Sequence, residues 1–342
     1  MKTRVTTALI GMMIAGWLSG CGSEQKSAPA STSVPARAPG LRIAMIAKSA
    51  SNPIFLSARK GAEAAAKELA SKHGIPIEIV WMTPTNEDGQ VQAQKIAQAT
   101  EEGASAILIS CSDAGKVTAA IDAAVDRGVP VMTFDGDAAE SKRFAFYGVD
   151  DEKTGETLMR ELAGQIGKKG SVAILAGNPD APNLRKRVDG IKKEAGKYPG
   201  IKIVDTFHHP ETVREAAAKV VSAQKANPQI QGWAMVGGWP LSTPQLLSDL
   251  GPTKIKIVAV GALPSQLAYV DEGLAPVLLA QPTYMWGYES VKRIIDKVHL
   301  KQEVPEIIPM DVVRVTKADL GAWARQLQSW GFTVPDMYAK LP

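Results

Sequence analysis

The sequence lacks most of the motifs that identify an enzyme. It contains two cysteines in 342 residues, Cys21 and Cys111, and four histidines. It has no G-x-S-x-G elbow, no H-E-x-x-H helix and no C-x-x-C pair, so the commonest hydrolase, metalloprotease and redox signatures are all missing. These absences give no support to a catalytic function.

Charge is also close to balanced. Lys and Arg number 39 against 35 Asp and Glu, a net charge of +4, and there is no basic run and no zinc-finger spacing. A nucleic-acid surface is therefore not expected. The pair His208-His209 stands in a loop before Pro210, where we interpret it as solvated rather than metal-binding, and no metal or cofactor is predicted. The acidic cluster Asp150-Asp151-Glu152 is interpreted as a helix N-terminus.

The first 20 residues have the order of a secretory signal. Lys2 and Arg4 precede an apolar run from Val5 to Leu18, which is shorter than the roughly 20 residues needed to span a bilayer. Leu18-Ser19-Gly20-Cys21 resembles the bacterial lipobox, which implies that Cys21 is lipidated and becomes the mature N-terminus. Two acyl chains would hold the protein on a membrane.

Residues 21–40 are rich in Ser, Ala and Pro and have no apolar period, so they are predicted to be a flexible tether. With Cys21 lipidated, Cys111 has no partner for an intramolecular disulfide. It ends the apolar run S-A-I-L-I-S-C and is interpreted as a buried, inert thiol.

From Leu41 onward, short aliphatic runs alternate with amphipathic stretches. Ten runs lack strict polar alternation, as strands buried on both faces do: LRIAMIA, IEIVWM, AILIS, VPVMTF, FAFYGV, SVAILA, IKIV, GWAMV, IKIVAV and APVLLA. This pattern predicts a doubly wound α/β architecture, and ten strands suit two sheets better than one. RIAMIAKSASNP and SVAILAGNPDAP are similar strand-to-loop passages, which indicates two related lobes facing one cleft.

Several passages together resemble the ribose/galactose-type periplasmic sugar-binding proteins of ABC transporters. They are IAMIAKSASNPIF, GASAILISCSDAGKVTAAIDAAVDRGVPVMTFDGDA, YGVDDEKTG and NLRKRVDGI, within a similarity from about Leu41 to Val315. The resemblance implies a type I periplasmic binding fold, with two Rossmann-like lobes joined by a three-strand hinge. The implied lobes are 41–149 plus 282–308, and 150–281 plus 309–342.

The resemblance also implies a ligand site in the cleft. The positions that match the family's binding groups are Asn52 as an amide donor, Phe55 as a stacking ring, Asp135 as a carboxylate acceptor, Arg185 as a forked donor from the second lobe, and Gln281 as the hinge amide. Charged and amide groups satisfy sugar hydroxyls, and flat rings cover the apolar C–H faces.

Departures from the family pattern put ribose itself in doubt. Ile54 stands where a second aromatic is common, and Gly136 stands where the ribose type often has Arg, with Asp137 beyond it. Lys48 replaces a small polar residue and is expected either to add a positive donor or to reach solvent. Two hydroxyl-binding groups are missing, because Gly237-Gly238-Trp239 and Gly261-Ala262 occupy their places. Trp239 is expected to be either a wall of the site or part of the lobe packing, and a larger, less hydroxylated or partly anionic ligand fits as well.

Near the C-terminus, Leu320, Trp323, Leu327 and Trp330 fall on one helical stripe, which is expected to pack on the second lobe, with a partner surface as the alternative. Taken with the resemblance, the chain is expected to be a monomeric, membrane-anchored extracytoplasmic lipoprotein. It would bind a monosaccharide-like molecule and deliver it to an ABC permease. The alternative is a sensory module that presents its ligand to a chemoreceptor or sensor kinase.

Overall fold

The computed structural model describes residues 40–247, 250 and 254–342. The predicted signal peptide, nearly all of the tether and Cys21 lie outside these residues. Within the described part, helices long and apolar enough to cross a membrane are not found.

The described residues form strands and helices in almost regular alternation. The strands are β1 Leu41–Ile46, β2 Ile77–Trp81, β3 Ala106–Ile109, β4 Val131–Phe134, β5 Ala145–Gly148, β6 Lys169–Ala176, β7 Gly200–His208, β8 Ile230–Met235, β9 Lys256–Val260, β10 Val277–Ala280, β11 Ile307–Pro309 and β12 Val313–Val315. The helices are α1 Pro53–His73, α2 Gly89–Glu101, α3 Ala114–Asp126, α4 Asp151–Gln165, α5 Pro182–Ala195, α6 Val213–Ala226, α7 Leu267–Asp271, α8 Thr283–Val298, α9 Leu320–Ser329 and α10 Asp336–Ala339.

The strands form two sheets with the orders β11-β5-β4-β3-β1-β2 and β12-β10-β9-β8-β6-β7. Pairing is parallel throughout, except that β12 runs antiparallel to β10. The predicted doubly wound α/β class with two sheets is confirmed, and each of the ten aliphatic runs overlaps one of the strands β1 to β10. Strands β3, β4 and β5 are buried along their whole length, as strands covered by helices on both faces should be.

The chain passes between the two sheets three times. It leaves the first sheet after β5, returns to that side with α8 after β10, and then runs through β11 to β12. Ile308 of β11 pairs with Tyr147 in the first sheet, whereas Arg314 of β12 pairs with Leu279 in the second. We call the unit of β1–β5, α1–α3, α8 and β11 the first lobe, and the unit of β6–β10, α4–α7 and β12 the second lobe.

The residues of interest follow the carboxyl ends of strands in both sheets. Lys48 lies just beyond β1, Asp135 directly follows β4, and Gln281 directly follows β10. In open parallel sheets the carboxyl ends of neighbouring strands share one edge, and ligands bind there. Burial of Cys111 agrees with its interpretation as a structural thiol, and burial raises the pKa of that thiol far above its ordinary value.

The tail stripe packs mainly where it was expected. Leu320, Trp323 and Leu327 of α9 belong to the hydrophobic core of the second lobe. Trp330, just after α9, is half-buried and packs against the same core.

Candidate ligand-binding cleft

A cavity lies between the lobes and draws its lining from both of them. Six residues predicted from the sequence line it: Lys48, Asn52, Phe55, Asp135, Trp239 and Gln281. The other two predicted residues, Asp137 and Arg185, do not belong to this lining.

Asp135 is the hub of the polar part of the cleft. It directly follows β4 with a left-handed backbone (φ 56°), a conformation that turns the chain sharply at the strand end. Its carboxylate accepts hydrogen bonds from Ser110 Oγ at 2.8 Å and from Asn183 Nδ2 at 3.0 Å. Asn183 belongs to the second lobe, so this carboxylate joins the two sides of the cleft.

Lys48 is buried and turns into the cleft. Its Nζ donates to Asn183 Oδ1 at 2.9 Å and lies 3.6 Å from Asp135 Oδ2. Burial opposes the ammonium charge, but the carboxylates around it, with Asp135 foremost, outweigh burial and raise the pKa of Lys48. Lys48 is therefore a positive donor in the cleft, and the alternative of a solvent-directed lysine is wrong.

Gly136 explains how Lys48 fits. A Cβ at this position would lie 2.5 Å from the Cys111 carbonyl oxygen and 3.0 Å from Lys48 Cε. The stem of Lys48 thus occupies space that a side chain at 136 would need. The two departures from the family pattern are linked, because the positive charge missing after β4 is supplied from the end of β1.

The structure places Arg185, the predicted forked donor, outside the cavity lining. Arg185 is exposed on α5, whereas Arg187 is 3% exposed and lines the cleft. Asn183 lies one turn before Arg187 on the same helix, and both were missed. The inward face of α5 is marked by Leu184, which lies between them in sequence, and this apolar periodicity could have identified them.

Arg187 is held by two contacts that leave part of its guanidinium free. Its Nε donates to Asp151 Oδ1 at 2.8 Å and its Nη1 to the Val236 carbonyl at 2.9 Å. Nη2 has no hydrogen-bond partner and lies 3.9 Å from Asp135 Oδ1. Burial raises the pKa of Asp151 to about 6, and the guanidinium beside it opposes that rise. Asp151 therefore does more than compensate a helix dipole, because it orients Arg187.

Asp137 faces away from the cleft. Its two carboxylate oxygens accept hydrogen bonds from Arg143 Nε at 2.6 Å and Nη2 at 2.8 Å, and its Oδ1 also accepts one from Thr133 Oγ1. This bidentate pair occupies the acceptor positions that a ligand would use. Asp137 was predicted to bind ligand, but the structure places it outside the cavity lining, where its pairing with Arg143 fixes the loop after β4.

Asn52 and Phe55 lie at the start of α1. Asn52 is the N-cap, where its Oδ1 accepts a hydrogen bond from the Ile54 amide at 3.3 Å. Phe55 stacks on Trp286 of α8 with ring centroids 6.2 Å apart and an interplanar angle of 27°. The first lobe thus supplies an aromatic pair, Phe55 and Trp286, to the cleft lining.

Side chains of the second lobe occupy the space beside its glycines at positions 237, 238 and 261. A Cβ at Gly237 would lie 2.5 Å from the Trp239 ring, so this ring covers the glycine. Gln266 occupies the space beside Gly238 and Gly261, donating to the Gly238 carbonyl at 2.7 Å and accepting from the Leu263 amide at 2.7 Å. Trp239 therefore serves as cleft lining and core packing together, while Gln266, which the sequence did not single out, is occupied with the backbone.

Three buried donors in the lining have no partner in the described part of the chain: Arg187 Nη2, Gln281 Nε2 and Trp286 Nε1. Buried polar groups are normally hydrogen-bonded, so unpaired donors around a cavity indicate a ligand that accepts hydrogen bonds. These donors come from the second lobe, from the hinge after β10 and from the first lobe.

A second cavity adjoins this one and shares Asn52 and Glu211 with it. Burial and the nearby Glu87 carboxyl raise the pKa of Glu211 to about 8, against the pull of Lys48. Burial lowers the pKa of His209 to about 4. Within the described residues, groups of three or more His, Cys, Asp and Glu side chains placed to hold a metal ion are not found.

Two parallel α/β lobes with a polar cleft at their strand ends define the class of two-lobed solute-binding proteins. The sequence matches the family described as periplasmic binding protein domain over residues 43–301, and the chain belongs to that family. The predicted resemblance is thereby confirmed.

Curated relatives of the chain include the ribose import binding protein RbsB of Bacillus subtilis. It is 33% identical over 139 residues, which are 41% of this chain and 43% of the relative. Alignments with the first curated relatives span about half of their length, at 43%, 57% and 52%.

Solved structures agree with the fold over most of their own length. An ABC transporter solute-binding protein from Burkholderia graminis, solved with D-arabinose, has a TM-score of 0.73 and 28% identity, covering 82% of this chain and 96% of that one. The XylFII–LytSN complex contains a chain with a TM-score of 0.74 and 26% identity, covering 82% and 99%.

Proposed function

We propose that this chain is the solute-binding lipoprotein of an ABC importer and that it binds a sugar or sugar-like molecule between its lobes. It makes and breaks no covalent bond. It would act outside the cytoplasmic membrane, as its family does, and hand the closed, loaded form to a permease.

One observation carries the proposal. Lys48 and Asp135 from the first lobe meet Asn183 and Arg187 from the second, while Arg187 Nη2 keeps a free, buried donor in the cavity. Such a group of charge-assisted donors and acceptors is suited to hydroxyl groups that have lost water. The sugar bound by the Burkholderia graminis relative agrees with this chemistry.

Hinge closure follows from the three chain crossings. In the open form, water solvates Asp135 and Arg187 on separate lobes. A ligand that touches both lobes binds the closed form better than the open one and shifts the population toward closure by that difference in affinity. The permease then needs to recognise only the closed arrangement.

A thermal-shift screen of the purified full chain against sugars, polyols and sugar acids tests this function. A ligand present at 100 times its Kd should add about 2.7 kcal/mol of stability. Asp135→Ala should abolish the shift given by the best ligand. A folded protein that responds to no member of the panel would contradict the proposal.

Membrane attachment through Cys21 is the second part of the proposal, and it rests on Leu18-Ser19-Gly20-Cys21 behind the apolar run. Cys21→Ser should leave an uncleaved precursor without lipid, because both cleavage and acylation act at that cysteine. Mass spectrometry of the membrane fraction measures both outcomes. Normal cleavage with unchanged lipid content in the variant would refute lipidation at Cys21.

A second candidate is a ligand-presenting sensor module. The similarity to XylFII in complex with LytSN favours it, since a chain of this fold is there assembled with another protein. Deleting the gene and following uptake of labelled ligand separates the two candidates. Loss of uptake supports import, whereas intact uptake with loss of a ligand-induced transcriptional response supports sensing.

A further inference from the structure

The segment after β12, residues 316–342, lies beyond the residues matched by the family, and we call it the C-terminal segment. It is fixed to the second lobe by Leu320 and Trp323, which are buried in that lobe's core. Trp323 Nε1 also donates to the Ala262 carbonyl at 2.7 Å. Ala262 lies in the loop after β9, where sugar binders of the resembled type carry a carboxylate, so this loop is covered by an indole instead.

The same segment also touches the first lobe. The Trp330 ring lies parallel to the Tyr284 ring of α8, with centroids 5.8 Å apart and an interplanar angle of 3°. Beside it, Lys60 Nζ of α1 donates to the Gly331 carbonyl at 3.1 Å and lies 5.6 Å from the Phe332 ring centroid. The segment therefore bridges the lobes next to the cavity rather than packing on one lobe alone.

Three side chains of this segment enter the cavity lining: Trp323, Leu327 and Trp330. Ile54, Val260 and Leu263 add further apolar surface to the same cavity. The indole nitrogen of Trp323 is already bonded to Ala262, so it offers no donor to a ligand. Leu327 has no polar side-chain atom, so this part of the lining is mainly apolar.

Several polar groups of the lining are already hydrogen-bonded within the chain. Asp135 already accepts two hydrogen bonds, and Gln266 is occupied at both its oxygen and its nitrogen. A free sugar that is covered by hydroxyls would leave several of them unpaired against Leu327 and the indoles, which is costly once water is excluded. A ligand with one polar and one apolar part avoids that cost.

Resting on the proposed function, we infer that the cleft selects a glycoside, a sugar ring that carries an apolar alkyl or aryl group. The ring hydroxyls bind Asp135, Arg187 and Gln281. The apolar group packs on the wall formed by Trp323, Leu327 and Trp330. The C-terminal segment is then the element that determines specificity.

Calorimetric titration of the full chain tests this, with D-ribose, D-xylose, D-glucose and D-galactose compared with the methyl and phenyl glycosides of each. At least one phenyl glycoside should bind about tenfold or more tightly than its parent sugar, since a buried ring adds roughly that much affinity. Trp330→Ala should bring the ratio of the affinity for the phenyl glycoside to the affinity for the parent sugar close to one. Trp330→Phe should keep most of it.

Met337→Ala is the matched control, because Met337 lies in the same segment, is 61% exposed and is not part of the cavity lining. It should leave the ratio unchanged. Thermal unfolding of each variant shows whether it is folded.

The outcomes separate the two proposals. Free sugars that bind as tightly as their glycosides would overturn the selectivity for glycosides and leave the sugar-binding function standing. A glycoside preference that survives Trp330→Ala would overturn the role of the wall. A folded protein that binds neither kind of ligand would overturn both proposals.

Discussion

Arg185 and Arg187 are two residues apart in sequence, yet α5 directs them to different environments. A helix turns about 100° per residue, so two residues apart means nearly opposite faces. Leu184, Val188 and Ile191 define the buried face, and Arg187 falls beside it while Arg185 does not. The motif match selected Arg185 on this helix. Arg185 stands two positions before Arg187, the arginine that lines the cavity.

The first prediction compares these two arginines. Arg187→Met keeps the apolar stem but removes the free donor Nη2, and the buried Asp151 loses its partner as well. We expect ligand affinity to fall about 30-fold or more, as for other buried charge-assisted hydrogen bonds. Calorimetric titration with the best ligand of the thermal-shift panel measures this.

Arg185→Met is the matched control for that experiment, since Arg185 is exposed on the same helix. It should bind with unchanged affinity. If the affinity fell in the Arg185 variant and not in the Arg187 variant, our assignment of the cleft arginine would be wrong.

The second prediction concerns Gly136. In Gly136→Ala the new methyl group would meet the Cys111 carbonyl at 2.5 Å and the stem of Lys48 at 3.0 Å. Because the carbonyl is backbone and cannot move aside, we expect a loss of about 1–3 kcal/mol in the free energy of unfolding. Urea denaturation measures this change in the free energy of unfolding. A variant as stable as the parent would show that the Cys111 carbonyl and the Lys48 stem can both shift to admit the methyl group.

At the scale of secondary-structure elements, burial determines which strands could be predicted from the sequence. Most of the strands β1 to β10 were visible because strands covered on both faces are continuous aliphatic runs. The edge strands β2 and β7 are partly exposed, but each still contains a short aliphatic run. Strands β11 and β12 are three residues each and partly exposed, so they have no such run. The resemblance placed a lobe crossing at this point, but the antiparallel direction of β12 had no local signal.

The third prediction separates two roles of Asn52 at the start of α1. Asn52→Ala removes the N-cap and should cost about 0.5–2 kcal/mol of stability. Asn52→Asp keeps an acceptor for the Ile54 amide, so stability should be retained. Asn52 lines the cavity, and both variants lose its side-chain NH2 donor, so both should bind ligand more weakly.

Urea denaturation and calorimetry on the two Asn52 variants read out the two roles independently. Equal destabilisation by Ala and Asp would argue against the capping role. Parental affinity in both would remove Asn52 from the ligand site.

At the scale of the whole molecule, closure brings two carboxyl groups together. Glu87 follows β2 in the first lobe, and Glu211 follows β7 in the second. Lys48 also lies near Glu211. His208, the last residue of β7, and His209 shortly precede Glu211 and line the second cavity with it. No sequence pattern predicted this pair, because its members are far apart in the chain and meet only across the cleft.

The fourth prediction is a pH dependence of ligand binding. In this structure burial, followed by the nearby Glu87 carboxyl, raises the pKa of Glu211 to about 8. Opening of the cleft should return Glu211 to water and separate it from Glu87, so its pKa should fall. The closed form therefore holds a proton that the open form releases. Affinity should be greatest at low pH and fall as the pH rises toward about 8, then level off.

Glu211→Gln tests the origin of that dependence, because an amide cannot titrate. Calorimetry between about pH 7 and pH 9 should show a flat profile for this variant and a falling one for the parent. This range lies above the pKa of about 6 of Asp151, the other titrating carboxyl beside the cleft. His209, whose pKa is lowered to about 4, should remain neutral throughout this range. A parental slope that persisted in Glu211→Gln would assign the effect to another group.

The three chain crossings also determine when the two lobes can finish folding during synthesis. Strand β11 forms the edge of the first sheet and β12 the edge of the second, and both come from residues 307–315. A chain that stops before residue 307 would turn the buried strands β5 and β10 into edge strands at once, and long apolar edges favour aggregation. Neither lobe can therefore finish folding until nearly the whole polypeptide has been made, and a protease cut in this short stretch would damage both lobes together.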